Sequence, residues 1–220
     1  VPSRNRTVAA LALAAGALLM GSCNIVAPIG YLVHGPEKVP AVYELDPKKT
    51  TVVFIDDTRA SVLPSRTVRT KIGEAAETVL LNDADVERMI ASKDVMAVAD
   101  REKYSRQMGI VELGEAVKAD IIIYVTMDSF TLVQENENFK PVAACRLRVV
   151  DVKEKKQIFP EEIAKAHPVL IEAPYRTGNP PTSANDRNKV YLEFADRVGT
   201  GIGNVFVKHE KRPQTGRLDH

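Results

Sequence analysis

The chain has 220 residues, 45% of them hydrophobic and 27% charged, which suits one globular domain, or one domain with a targeting segment. Thirty Lys and Arg face 29 Asp and Glu for a formal net charge of +1, and no long basic block marks a nucleic-acid surface, so that class of partner is not expected. Two cysteines, Cys23 and Cys145, give no disulfide framework.

At the amino terminus, Arg4 and Arg6 precede an uncharged run from Thr7 to Met20. A stretch of about 14 residues fits the apolar region of a signal peptide and falls short of the roughly 20 that span a bilayer. It ends in "LMGSCN", with small Gly21 and Ser22 directly before Cys23. The segment resembles a bacterial lipoprotein signal, cut just before a cysteine that carries diacylglycerol. The resemblance implies lipidation at Cys23 and, with Asn24 rather than Asp next to it, an outer-membrane anchor facing the periplasm. The alternative is an ordinary secretory peptide with Cys23 incidental. Removing residues 1–22 deletes two arginines and no acids, leaving 28 bases against 29 acids.

Residues 23–49 read as a tether, extended by prolines at 28, 36, 40 and 47, part of it lying against the domain. The folded part is expected over 50–208. "TTVVFI" is a buried central strand by its β-branched run, and it ends in the paired carboxylates Asp56 and Asp57. Val68, Ile72, Ala75 and Val79 mark one face of a helix over Val68–Leu81, with Lys71, Glu74 and Glu77 turned to water. Further helices are expected over Arg101–Gln107 and Ile110–Ala119, then a strand at Ile121–Val125. The run Val142–Val152 alternates, with Cys145, Leu147 and Val149 on the apolar face, so Cys145 is read as a small core residue and not a nucleophile. The charged turn "KEKK" returns the chain to "QIF", and another short strand lies in "HPVLIEA". Arg176–Asn185 is a surface loop. Ser183 and Asp186 have the spacing of a helix start, and Leu192, Ala195, Gly199, Ile202 and Phe206 continue the period. A polar tail fills 209–220. The fold class is α/β: a mixed sheet flanked by helices in a single domain.

The blocks "VMAVADREKYSRQMGIVELGEAVKADIIIYVTM" and "CRLRVVDVKEKKQIF" resemble the domain shared by the curli secretion channel lipoproteins, the lipoprotein activators of penicillin-binding proteins and the amino-terminal domain of the Tol–Pal periplasmic protein. In that group a strand ends in Asp-Arg, a helix follows, Leu-Gly and Ala-Asp bracket a second helix, and a hairpin strand ends in Val-Asp-Val. Asp100-Arg101, Leu113-Gly114, Ala119-Asp120 and Val150-Asp151-Val152 occupy those places. The turn here lacks the group's usual glycine, and no pair of membrane-crossing strands is evident.

The Asp56-Asp57 pair invites two catalytic readings. A receiver-like acidic pocket would need a further Asp and a Lys, for which Asp128 and Lys153 are the nominees. A dehalogenase-like site needs two Asp one residue apart, whereas adjacent side chains diverge. The simpler reading is a strand end at which Asp57 accepts from turn amides and faces Arg59. "GTGIGN", Gly199 to Asn204, has no preceding strand and no following Lys-Ser or Lys-Thr, so it reads as small residues letting the last helix approach the sheet. Histidines 34, 167, 209 and 220 lack ligand spacing, so neither a metal nor a cofactor is expected. The function expected is a non-enzymatic envelope lipoprotein that binds another envelope protein or itself, through loops such as Arg59–Arg66 and Arg176–Asn185. Two alternatives stand beside it: a membrane-tethered periplasmic hydrolase using Asp56 and Asp57, and a homo-oligomeric secretion-channel subunit.

Overall fold

The computed structural model describes Lys38–Asp57, Ser61–Arg101, Met108–Glu162 and Lys165–Glu210. The expected signal segment, Cys23, Arg59 and most of the polar tail lie outside these residues. Lys38–Val39 (β1) and His209–Glu210 (β9) pair as a two-stranded sheet of their own. The larger compact unit runs from Pro40 to His209.

That unit is built on Thr51–Asp56 (β2), all six of whose residues are buried, as the sequence leads one to expect for a central strand. Met89–Ile90 (β3) and Ile121–Glu135 (β4) flank it in parallel, and Asn138–Asp151 (β5) runs antiparallel to β4. Lys156–Phe159 (β6), His167–Glu172 (β7) and Arg176–Thr177 (β8) all add antiparallel to the far edge of β5. The sheet is therefore mixed, and the α/β class stands.

Four helices occur among the described residues. Arg66–Asp83 (α1) and Ala184–Gly203 (α4) cover one face of the sheet, over a core that includes Ile55, Ile72, Ile123, Met127, Leu147 and Phe194. Ser92–Arg101 (α2) and Ile110–Val117 (α3) cover the other face only over Val52, Phe54, Ile122, Val150 and Val152. Helix α1 begins where Ser65 Oγ accepts the Val68 N–H at 3.2 Å, and α4 where Ser183 Oγ accepts the Asp186 N–H at 3.1 Å.

Several expectations need correction. The segment Val95–Arg101 is helical, not the strand implied by the resemblance, and the helix expected over Arg101–Gln107 falls on residues outside the description beyond Arg101. Glu77 is not turned to water: it is half-buried and accepts the Ser92 N–H at the start of α2, and burial pushes its carboxyl above the ordinary value. Part of the segment read as a tether lies against the domain. Leu45 is buried in the core, and the N–H groups of Val42 and Tyr43 donate to the Val205 carbonyl. The last helix stops at Gly203 rather than continuing to Phe206.

The strands β4 and β5 are far longer than expected. They form one hairpin through Asn136, whose φ of 54° an Asn adopts more readily than most residues. A bulge at Asp128 interrupts the ladder, Met127 pairing with Cys145 and Ser129 with Ala144. One extra residue reverses the alternation, so the core-facing set passes from Ile121, Ile123, Val125 and Met127 to Phe130.

The glycines of "GTGIGN" serve close packing, but mainly against a helix. A Cβ on Gly199 would lie 2.2 Å from the Ile72 carbonyl oxygen of α1, and one on Gly203 would lie 2.6 Å from Val79 Cβ. Only Gly201 meets the sheet, at Ile171 of β7.

The motif residues of the resemblance pack on one another at the end of the sheet where β2 begins. A Cβ on Gly114 would lie 2.4 Å from Val152 Cγ2, and the Asp120 carboxylate accepts the Thr50 N–H at 2.8 Å. Asp151 accepts from Lys49 Nζ at 2.5 Å and from the Glu154 N–H at 2.8 Å. Burial raises the Asp151 carboxyl, but the Lys49 contact and the turn amides outweigh it and hold the group below its ordinary value. The Asp151 contact in turn raises Lys49. Folded Asp151 takes up its proton less readily than the unfolded chain does. Its contribution is therefore present above about pH 4 and is lost as the pH falls through the lowered value. Lys49 has the opposite sign, contributing below about pH 10 and losing that contribution as the pH rises through its raised value. Lys49 is 37% exposed, so solvent screens the pair, and Asp151→Asn is expected to cost only about 1 kcal/mol at neutral pH. Thermal melts should show that difference shrinking on acidification; a difference independent of pH would contradict the ion pair.

Candidate functional site

The far end of β2 carries the Asp56-Asp57 pair, and the two carboxylates do diverge. Asp56 is 2% exposed and accepts a hydrogen bond from the Tyr124 hydroxyl on β4. Asp57 turns to the following loop, where Oδ1 accepts the Val62 N–H at 2.7 Å and the Leu63 N–H at 3.2 Å, while its carbonyl accepts the Ser61 N–H at 2.9 Å. It is a loop-closing residue of the kind a strand terminus calls for.

Neither catalytic constellation assembles around the pair. Asp128 grips Arg146 with both oxygens, at 2.7 and 2.8 Å. Lys153 follows Asp151, which is level with Ile121 and Thr51 at the opposite end of the sheet. Five residues of strand separate the two ends, about 16 Å.

The site's other side chains come from two helices that meet across the free edge of β2. Arg69, on the buried face of α1, is 7% exposed. Its Nε donates to the Ile55 carbonyl at 2.7 Å, its Nη1 lies 3.4 Å from Asp100 Oδ1, and its guanidinium carbon sits 5.3 Å from the centre of the Phe54 ring. Beyond β3, the edge carbonyl of β2 thus finds a side-chain donor in place of a strand. Asp100, near the end of α2, also holds Arg66 at 2.7 Å. The remaining guanidinium nitrogen of Arg69, Nη2, is buried and has no hydrogen-bond partner among the described residues. Such a donor costs about 1–3 kcal/mol when it stays unmade.

These residues open onto a cavity of about 450 Å³ lined by Asp57, Ser61, Leu63, Ser65, Arg66, Arg69 and Asp100. Asp57 stands among the expected site residues and Arg66 ends a candidate loop, whereas Arg69 and Asp100 are not among the residues expected at a site. A signal existed: Arg69 falls beside Val68 in the apolar stripe of an amphipathic helix, where a charged residue needs a partner.

Other candidates are structural in their surroundings. Cys145 is 1% exposed on β5, and burial pushes its thiol up to about 12, so it remains protonated near neutral pH. His167 opens β7, its ring 5.3 Å from that of Phe159, and burial lowers its pKa. The described residues contain no cluster suited to a metal ion. The expected loop at Arg176–Asn185 includes the short strand β8 and is tied down by Arg176 to Glu193 and by Asn179 to Gln134.

A second feature lies on the sheet face opposite α1 and α4. Helices α2 and α3 cover only its first part, leaving Val133, Val142, Ala144 and Leu170 among the charged pairs Lys140–Glu172 and Arg146–Asp128. Leu170 is 67% exposed and Val133 39%. The outer edge of β4 beyond Thr126 also has no ladder partner among the described residues.

No family model matches the chain, and no curated protein matches it. Among solved structures it is similar to lipoprotein GNA1162 from Neisseria meningitidis, at 9% identity and a TM-score of 0.39, over 68% of this chain and 97% of that one. It is similar to the PelC dodecamer from Paraburkholderia phytofirmans, at 9% identity and a TM-score of 0.36, over 76% and 95%. A minor lipoprotein from Acinetobacter baumannii follows at 10% identity and a TM-score of 0.32, over 73% and 98%. Two of these three are lipoproteins by name. With TM-scores below 0.5, none of the likenesses assigns a role to a residue of this chain.

Proposed function

We propose that this protein is an envelope lipoprotein, held by acylated Cys23 at the periplasmic face of the outer membrane, whose α/β domain is a protein-binding or assembly module. The observation that supports the binding role is the uncovered half of the sheet. There Leu170, on the outermost antiparallel strand, stands exposed at one margin of the open face, and the unpaired edge of β4 forms the opposite margin, with β5 between the two strands. A sheet face or edge left open to water is a ready surface for another chain, and exposed large apolar residues on it favour burial by a partner. The module works without chemistry of its own at the Asp pair, because Asp57 is engaged by the loop amides and Asp56 lies buried against Tyr124.

Crosslinking of intact envelopes, followed by extraction in mild detergent, tests this reading. The wild-type chain is expected in a defined complex, and Leu170→Asp is expected to lose it with an unchanged melting temperature. Cys23→Ala should lose it too. A monomer in all three samples, or a complex indifferent to Leu170, would count against the proposal.

A further inference from the structure

The cavity at the end of β2 has the marks of a ligand site that the binding module does not use. Arg69 is fixed on two sides, by the Ile55 carbonyl and by Asp100, so its guanidinium cannot swing out to water. It lines that cavity, and its Nη2, buried from solvent, has no hydrogen-bond partner among the described residues. Arg66, 70% exposed in its side chain, stands at the first position of α1, where the unpaired amides of an 18-residue helix add positive potential. The hydroxyl-bearing residues Ser61 and Ser65 complete this side of the wall. Together these groups call for an anion.

The opposing carboxylates narrow the class. Asp57 and Asp100 line the same space, so the four ionised side chains carry no net charge. A dianion such as phosphate would meet two carboxylates at close range. A ligand carrying one carboxylate and one ammonium would meet a partner at each end. Both aspartates retain acceptor capacity for an ammonium, since a carboxylate offers about four lone-pair positions. The volume of about 450 Å³ also falls in the range of small-molecule sites, roughly 300–1,000 Å³. We propose that this cavity binds a small zwitterion of the amino-acid type, its carboxylate held by Arg69 and Arg66 at the start of α1 and its ammonium by Asp57 and Asp100.

The test uses the full chain in mild detergent, with melting temperature read against each proteinogenic amino acid at matched millimolar concentration. Acetate, methylammonium and inorganic phosphate serve as the comparison probes. At least one amino acid is expected to raise the melting temperature by about 2 °C or more, with the three single-charge or phosphate probes giving less than half that shift. Arg66→Gln, an exposed change that leaves the core intact, should weaken the binding about tenfold, and Arg69→Gln should abolish it. If Arg69→Gln fails to fold, Arg66→Gln and Asp100→Asn decide the matter by the same readout. The proposal is overturned if no amino acid shifts the melting temperature, if phosphate matches the best of them, or if the shift survives undiminished in Arg66→Gln.

Discussion

Gly199→Val is expected to lower the stability of the fold by about 3 kcal/mol, which for a unit of this size is a fall of roughly 6–12 °C in melting temperature. The cause is steric and backbone-directed. A first carbon at position 199 would sit 2.2 Å from the Ile72 carbonyl oxygen, 2.6 Å from Ala75 Cβ and 2.9 Å from the Ala76 nitrogen. None of these is the end of a flexible side chain, so α1 and α4 would have to part along their whole contact. Gly201→Ala is the matched comparison. Its nearest neighbour is Ile171 Cγ1 at 2.8 Å, a side-chain atom that can rotate, and a gain of about 1 kcal/mol in helix propensity offsets part of the strain. Chemical denaturation of the two variants should separate them clearly. Equal stabilities would mean that the helices do not meet at Gly199.

Asp57→Ala should cost about 2–3 kcal/mol, since it leaves the Val62 and Leu63 amides without their charged acceptor. Asp57→Asn, which keeps one acceptor oxygen, should lose roughly half as much. The graded loss is what distinguishes a loop-closing carboxylate from a nucleophile. A catalytic Asp57 would give an Asn variant of near-native stability with its activity gone. Urea titrations of the wild type and both variants, beside assays with ester and phosphate-ester substrates, distinguish the two outcomes.

The parts of this fold that could be read from the sequence are those where one physical signal acts alone. The all-apolar β2, the stripe Val68, Ile72, Ala75, Val79 and the Ser183 cap needed only burial or a helix start to be legible. The reading failed where two signals competed. Of the β4–β5 hairpin only Ile121–Val125 and Val142–Val152, away from its turn, are legible, because the bulge at Asp128 breaks the period of two and the Asn136 turn lacks a glycine. At α2 the strand before Asp100-Arg101 is implied by the resemblance alone, whereas the segment is a helix whose Val95 and Met96 pack with Val52 and Phe54 of β2 and Leu113 of α3. The cavity was half legible. Asp57 stands out at a strand end, but Asp100 and Arg69 are 31 residues apart and are brought together only by α1 and α2 meeting across an unpaired edge.

The isolation of β2 also matters during synthesis. Thr51 pairs with Ile121, so the strand leaves the ribosome 70 residues ahead of the partner that will cover its edge. In that interval it is a short, Pro-free β-branched segment of the sort that nascent chains aggregate through. Lys48 and Lys49 stand just before it and Asp56 and Asp57 at its end, so the segment is bracketed by charge of opposite sign. Charges so placed are of the kind that flank aggregation-prone strands, and in the folded chain Asp57 also closes the loop behind the strand.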